Sequence, residues 1–311
     1  MTTPSRVDVL VVGDYYVDVV FAGAPSWPRP DAEVFADVLA TVPGGAYTHA
    51  LALHRLGVRT RWVTDFGTDG YSAEVLAAAR AEGLDSTCFV HHDKPVRNIS
   101  IAISRDGDRG FLSYRQPRPP LDVAPAVQAV RPRLVLLPHL LRGDEATAAL
   151  AAAAAVGAEV FMECQHTDAT LDTPGVTDTL ARIHVFAPNA AEARQLTGID
   201  DVTAATRRLA QLTPTVVVKN GAHGALAATG ATLVHAAARP VAALDTTGAG
   251  DCFDAGFIYA RLRGHDLATC LQLATACGAL STTDYGSAAA PTLAELAAAD
   301  PATAASSAST A

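Results

Sequence analysis

A chain of 311 residues, half of them hydrophobic and 18% charged, holds enough apolar material for a large core and is too apolar for a disordered chain. Its net charge of −9 argues against nonspecific nucleic-acid binding. Its alanine-rich stretches are broken by charges and turn signals well short of a membrane span, and its five dispersed cysteines, with no CxxC pair, suit a reducing cytoplasm better than a disulfide framework.

The first twelve residues carry one basic side chain, Arg6, and run into a β-like segment rather than a signal-peptide core. Residues 7–12 (VDVLVV) predict a buried strand ending at Gly13. A helix over 48–56 stops at Gly57, a strand follows over 58–63, and a second helix over 72–82 closes at Gly83. Strand-like runs recur at 134–137, 159–162, 184–186 and 215–218, with helical stretches at 145–155, 190–196 and 203–212 between them. Strands alternating with helices of this length predict βαβ units and a mostly parallel, doubly wound sheet with helices on both faces.

Two segments break the alternation. Residues 15–39 are proline-rich, with Pro25, Pro28 and Pro30, and residues 97–114 alternate apolar and polar side chains around a predicted turn at Asp106-Gly107. Both predict a small β lid with one face open to solvent. The resulting division is a discontinuous main domain of residues 1–14, 41–95 and 117–296, a lid of 15–40 and 96–116, and a frayed tail from 297 to 311. His91 and His92 are adjacent but lack a matching pair, so they do not read as a zinc site.

The chemistry is concentrated in residues 245–257, DTTGAGDCFDAGF. A turn of small residues leads into an apolar helix, which lets several backbone N–H groups converge where the helix dipole favours negative charge. Such a pocket can hold phosphate oxygens, and Asp251 in the first helical turn can accept a hydroxyl proton beside it. Taken alone, a GxGD stretch is equally an ordinary glycine turn with a helix-start aspartate. The full string, however, closely resembles the second signature of the PfkB, or ribokinase-like, carbohydrate kinases.

The resemblance extends along the chain in the family's order: VVGDYYVD at 11–18, the Gly44-Gly45 pair with the helix after it, DFGTDG at 65–70, PNAAEA at 188–193 and KNGAHG at 219–224. It implies a ribokinase-like fold and ATP-dependent phosphorylation of a hydroxyl on a sugar or sugar derivative. Asp251 would be the base, and Gly248, Ala249 and Gly250 the anion hole. Asp18, Tyr16, Gly44, Gly45, Thr48 and Arg97 would face the acceptor. Asn189, Lys219, Gly221, Gly224 and Thr247 would border ATP. Asn189 and Glu192 would organise Mg²⁺ through water, although N-x-x-E is also a capping box. Asp245 stands beside the K⁺ site of many members, and lids of this kind pair between subunits, which implies a homodimer.

The acceptor side departs from the pattern. Thr48 or His49 stands where sugar kinases place an asparagine, and Tyr16 replaces a polar residue. These changes leave a nucleoside acceptor, stacked on Tyr15, Tyr16 or Tyr47, as the alternative to a sugar. A non-catalytic ligand-binding role is the third reading, weakened by the retained Asp251 and glycine turn. Arg97 and Arg115 are placed to meet a phosphate or carboxylate on the acceptor, but each taken singly reads more readily as a solvated lid charge. No P-loop motif occurs, and Gly13 is followed by Asp14-Tyr15-Tyr16 rather than a dinucleotide-binding glycine turn.

Overall fold

The computed structural model describes residues 6–105 and 108–299; the predicted turn at Asp106-Gly107 and the tail from residue 300 lie outside them. The chain opens with β1 (Val9–Val12), crosses to β2 (Tyr15–Ala22) and β3 (Val38–Gly45), and continues through α1 (Ala46–Arg55), β4 (Thr60–Phe66), α2 (Gly70–Ala81) and β5 (Phe89–His91). The hairpin β6 (Asn98–Arg105) and β7 (Asp108–Arg115) follows. Next come α3 (Val123–Val130), β8 (Leu134–Leu137), α4 (Gly143–Ala155), β9 (Glu159–Glu163), α5 (Val176–Leu180), β10 (Val185–Ala187), α6 (Ala190–Thr197), α7 (Val202–Leu209) and β11 (Thr215–Lys219). The antiparallel strands β12 (Ala225–Thr229) and β13 (Thr232–Ala236) precede the closing helices α8 (Ala249–Leu262), α9 (Leu267–Leu280) and α10 (Leu293–Ala299).

Nine strands form the main sheet in the order β13-β12-β11-β10-β9-β8-β1-β4-β5, parallel from β11 to β5. Both faces are covered, which is why these strands are continuous apolar runs rather than alternating ones. Val9 and Val11 of β1 point into one core with α1, α8 and α9, whereas Leu10 and Val12 point into a second core with α3, α4, α6 and α7. From β1 the chain winds outward through β4 and β5, then returns to β8 and winds the other way. The strand order therefore reverses between β1 and β8, and the crevice at their carboxyl ends is where open α/β sheets bind ligands.

The second sheet has the order β3-β2-β6-β7. All of β3 pairs with β2, from Val38 opposite Ala22 to Gly45 opposite Tyr15, so residues 41–45 belong to this sheet's ladder. Helix α10 likewise continues to Ala299, taking in the first three residues of the expected tail. The cross-strand register sorts the side chains into two faces. Val17, Val19, Phe21, Leu39, Ile99, Ile101, Ile103, Leu112 and Tyr114 share one face, and Tyr16, Asp18, Asn98, Ser100 and Arg115 share the other. The polar face turns toward the crevice, and the apolar face carries Leu112 at 72% and Leu39 at 64% exposure.

Candidate active site

A cavity of about 330 Å³ occupies the crevice, lined by the carboxyl ends of β1, β8 and β9 and by Tyr16, Gly45, His49, Arg115 and Asp251. Its floor is the start of α8. Gly248 caps that helix at a φ of 77°, a left-handed conformation that disfavours any side chain, and a Cβ there would lie 3.1 Å from Thr48 Cγ2. Asp245 fixes the turn: its Oδ1 accepts from Thr247 N and Oγ1 at 3.0 and 2.9 Å, and its Oδ2 accepts from Gly286 N at 2.9 Å. Among the three groups expected in the anion hole, Ala249 N–H already donates to the Thr246 carbonyl at 3.2 Å. The N–H groups of Gly248 and Gly250 have no backbone acceptor among the described residues, which leaves both donors open at the helix start.

Beneath the turn lies a buried ionic cluster. Lys219, at the end of β11, donates to Glu163 at the end of β9 and, at 2.9 Å, to Asp254 one turn into α8. A Cβ on Gly250 would sit 3.7 Å from Lys219 Nζ, so the ammonium lies directly under the hole. Burial works to lower the Lys219 pKa, but Asp254 and Glu163 together drive it up. Burial works the other way on Glu163, where Lys219 and His49 prevail and hold the carboxyl low. His49 Nε2 is 3.5 Å from Glu163 Oε2, 3.7 Å from Asp251 Oδ1 and 3.8 Å from Asp254 Oδ2. Burial would depress this imidazole, yet Asp251, Asp254 and Glu163 push its pKa up to about 9.

The structure thus brings together Asp251, Gly248, Gly250, Gly45, Tyr16 and Lys219, adds Glu163 and Asp254, which sequence reasoning missed, and includes His49, which the sequence offered only as the alternative to Thr48. Glu163 and Asp254 stand in ordinary strand-end and helix positions with no local signal; only the convergence of β9 and α8 joins them. Asp18 is buried against Gly44, whose Cβ would fall 1.9 Å from Asp18 Oδ2, so only glycine fits there. Thr48, 1% exposed, packs on Gly248 and does not line the cavity; His49 does. Arg97 is exposed and also lies away from the lining. The cationic groups at the lid's hinge are instead Arg115, bound to Asp14, and Arg118, bound to Asp14 and at 3.0 Å to Asp65. Tyr15 and Tyr47 are core residues stacked on Phe66 and set edge-on to Trp62, which leaves Tyr16 alone of the three tyrosines in the cavity.

On the far side of the cluster, Asn189 and Glu192 form a reciprocal capping box at the start of α6, with bonds of 2.9 and 2.8 Å. Glu192 uses only Oε2 for it, so a hydrated ion can be held by the other oxygen. Gly221 opens an exposed turn after β11. Gly224 is buried, and a Cβ there would meet Ala236 O at 2.0 Å; packing against β13 demands that glycine.

Burial, followed by the negative charges of Asp251 and Asp245, raises the Asp18 pKa to about 7. Below that value Asp18 is a neutral donor, and above it an ionised acceptor that binds hydroxyl groups more strongly. The family resemblance sets Asp18 against the acceptor, and on that placement the acceptor KM is expected to fall as pH rises through this value, and Asp18→Asn to flatten the dependence. A wild-type profile as flat as the variant's removes Asp18 from the acceptor site.

The sequence signature of the pfkB family carbohydrate kinases matches residues 8–293. A fructokinase of Klebsiella pneumoniae is 30% identical over 302 residues, spanning 89% of this chain and 94% of its own. Arabidopsis thaliana ribokinase, solved with ribose and ATP, superposes with a TM-score of 0.76 at 22% identity, covering 94% of this chain and 98% of that one. An Escherichia coli protein described as a ribokinase II, solved with ATP and Mg²⁺, gives a TM-score of 0.76 at 21% identity over 95% and 99% of the two chains. A mostly parallel doubly wound sheet with a small β lid is the ribokinase-like fold. The chain belongs to the pfkB family of carbohydrate kinases and is an ATP-dependent sugar kinase.

Proposed function

We propose that this kinase moves the terminal phosphoryl group of ATP directly onto a hydroxyl of a sugar or sugar derivative, with Asp251 as the base. The observation that carries the reading is the placement of Asp251 in the first turn of α8, at the cavity floor, beside the N–H groups of Gly248 and Gly250. The acceptor hydroxyl lies between Asp251 and the polar face of the lid, and the nucleotide approaches across the glycine turn from the side of Asn189 and Gly221. As the hydroxyl oxygen attacks in line, Asp251 takes its proton while the backbone donors hold the phosphoryl oxygens. Mg²⁺ supplies charge neutralisation on the phosphates when bound, held through water by Glu192 and Asn189.

A sugar is favoured over a nucleoside because the cavity presents Tyr16 as its one tyrosine, amid His49, Arg115, His139, Glu145 and Glu163. The Asp245 carboxylate is engaged by the turn, so a K⁺ site here would draw on backbone carbonyls of the 281–288 segment. The test is ATP consumption with Mg²⁺ against a panel of sugars, sugar derivatives and nucleosides, repeated with K⁺ replaced by Na⁺. Turnover confined to nucleosides would overturn the sugar assignment, and equal rates in both salts would remove K⁺.

The exposed apolar face of the lid supports a homodimer paired through the two lids, and the five free, dispersed cysteines support the cytoplasm. Leu39, Leu112 and Tyr114 stand on that face at 64%, 72% and 48% exposure, apolar surface that pairing would take out of water. Leu112→Asp is expected to convert a dimer to a monomer by analytical ultracentrifugation at micromolar concentration. A monomeric wild type would refute the pairing.

A further inference from the structure

We infer that His49, Glu163 and Asp251 form a binding site for a divalent first-row transition ion, represented by Zn²⁺, separate from the Mg²⁺ that accompanies ATP. The three side chains come from α1, the end of β9 and the first turn of α8, and one ligand atom of each lies within 4.8 Å of the others. His49 Nε2 stands 3.5 Å from Glu163 Oε2 and 3.7 Å from Asp251 Oδ1. These separations are too long for direct hydrogen bonds. They lie close to the roughly 3.4 Å that separates neighbouring ligand atoms around a tetrahedral ion with bonds of about 2.0–2.1 Å.

The imidazole itself points to a ligand. His49 is 1% exposed, and neither of its ring nitrogens has a hydrogen-bond partner among the described residues. A buried polar ring left in that state is costly unless something meets it. The surrounding charge selects a cation: Glu163, Asp251 and Asp254 all face the ring, Lys219 answers only part of that negative charge, and a metal ion would take the place of the proton the same carboxylates hold on His49. Lys219 grips Glu163 through Oε1 and leaves Oε2 toward the ring, the kind of outer contact that fixes a ligating carboxylate. All three side chains line the cavity, which gives the ion a route in and leaves its fourth position open to water or acceptor. One imidazole with two carboxylates suits Zn²⁺ or a neighbouring transition ion better than Mg²⁺, which favours oxygen donors and its own waters.

The consequence for activity rests on the role proposed for Asp251: a carboxylate held by the ion cannot take the hydroxyl proton, so Zn²⁺ inhibits transfer. The site itself is tested without ATP, Mg²⁺ or turnover. Titration calorimetry with Zn²⁺ alone is expected to show one ion per chain. In His49→Asn and Glu163→Gln, binding should weaken at least about tenfold, since a lost ligand costs no less than a lost outer-shell partner. Thermal melts confirm that the variants are folded. In the wild type loaded with Co²⁺, paramagnetic NMR should show the shifted N–H signal of a single imidazole, a readout that needs no variant. No binding, unchanged affinity in both variants, or signals from two imidazoles such as the adjacent His91 and His92 would each overturn the site. Zn²⁺ bound at this site without inhibition would count against Asp251 as the base and leave the site standing.

Discussion

Replacing Asp251 with Asn is expected to lower kcat by about 10²–10⁴, the usual contribution of a positioned general base. The amide keeps the shape of the side chain and the helix start, and it leaves Gly248 and Gly250 untouched. What disappears is the acceptor for the hydroxyl proton, which is needed as the oxygen attacks. Because that interaction belongs to the transition state, kcat and kcat/KM should fall together while the KM values for ATP and acceptor stay close to wild type. Single-turnover measurements would separate this from slowed product release. A variant that retains more than about a tenth of wild-type kcat would mean that another group takes the proton, since a general base contributes at least about a hundredfold.

The second large effect is on stability. Lys219→Met removes the one ammonium that holds Glu163 and Asp254 together beneath the glycine turn. Breaking a buried pair by deleting one partner costs about 3–5 kcal/mol, because the remaining carboxylates stay desolvated and repel. For a chain of this size the melting temperature should fall by on the order of 10 °C. Adding Glu163→Gln should recover part of the loss, since the two side chains share one interaction and their effects are not additive. An unchanged melting temperature with a raised KM for ATP would show that the ammonium serves the nucleotide instead. That was the expectation from its place in the KNGAHG stretch, and Lys219 lies close enough to Gly250 for the experiment to decide.

How much of the site could be read along the chain depends on how each part is encoded. The glycine turn and Asp251 are contiguous, and a run of small residues before an apolar helix states both the backbone conformation and the anion-binding end. Gly44 was legible as part of a glycine pair, although its reason, the Asp18 carboxylate filling the space of a side chain, is visible only in three dimensions. Thr48 lies outside the cavity lining for a geometric reason. Neighbours in sequence point in different directions, and one step along α1 separates Thr48, packed on Gly248, from His49 at the cavity. Glu163, Asp254 and Lys219 are far apart in the chain, so their pairing could not be inferred without the fold.

By itself the sequence determined the βαβ alternation and the family, because these rest on local periodicity and one contiguous motif. It also determined that the lid strands have one apolar and one polar face, since side chains alternate with a period of two. Which face meets water was decided by the tertiary structure. An isolated sheet turns its apolar face inward, but here Asp18, Ser100 and Tyr16 face the crevice and the Ile101–Leu112 row faces out. The physical reason is that the space beneath the lid is a site for a polar molecule rather than a core. The polar face is set against the cavity, and the apolar face is left for another surface to cover.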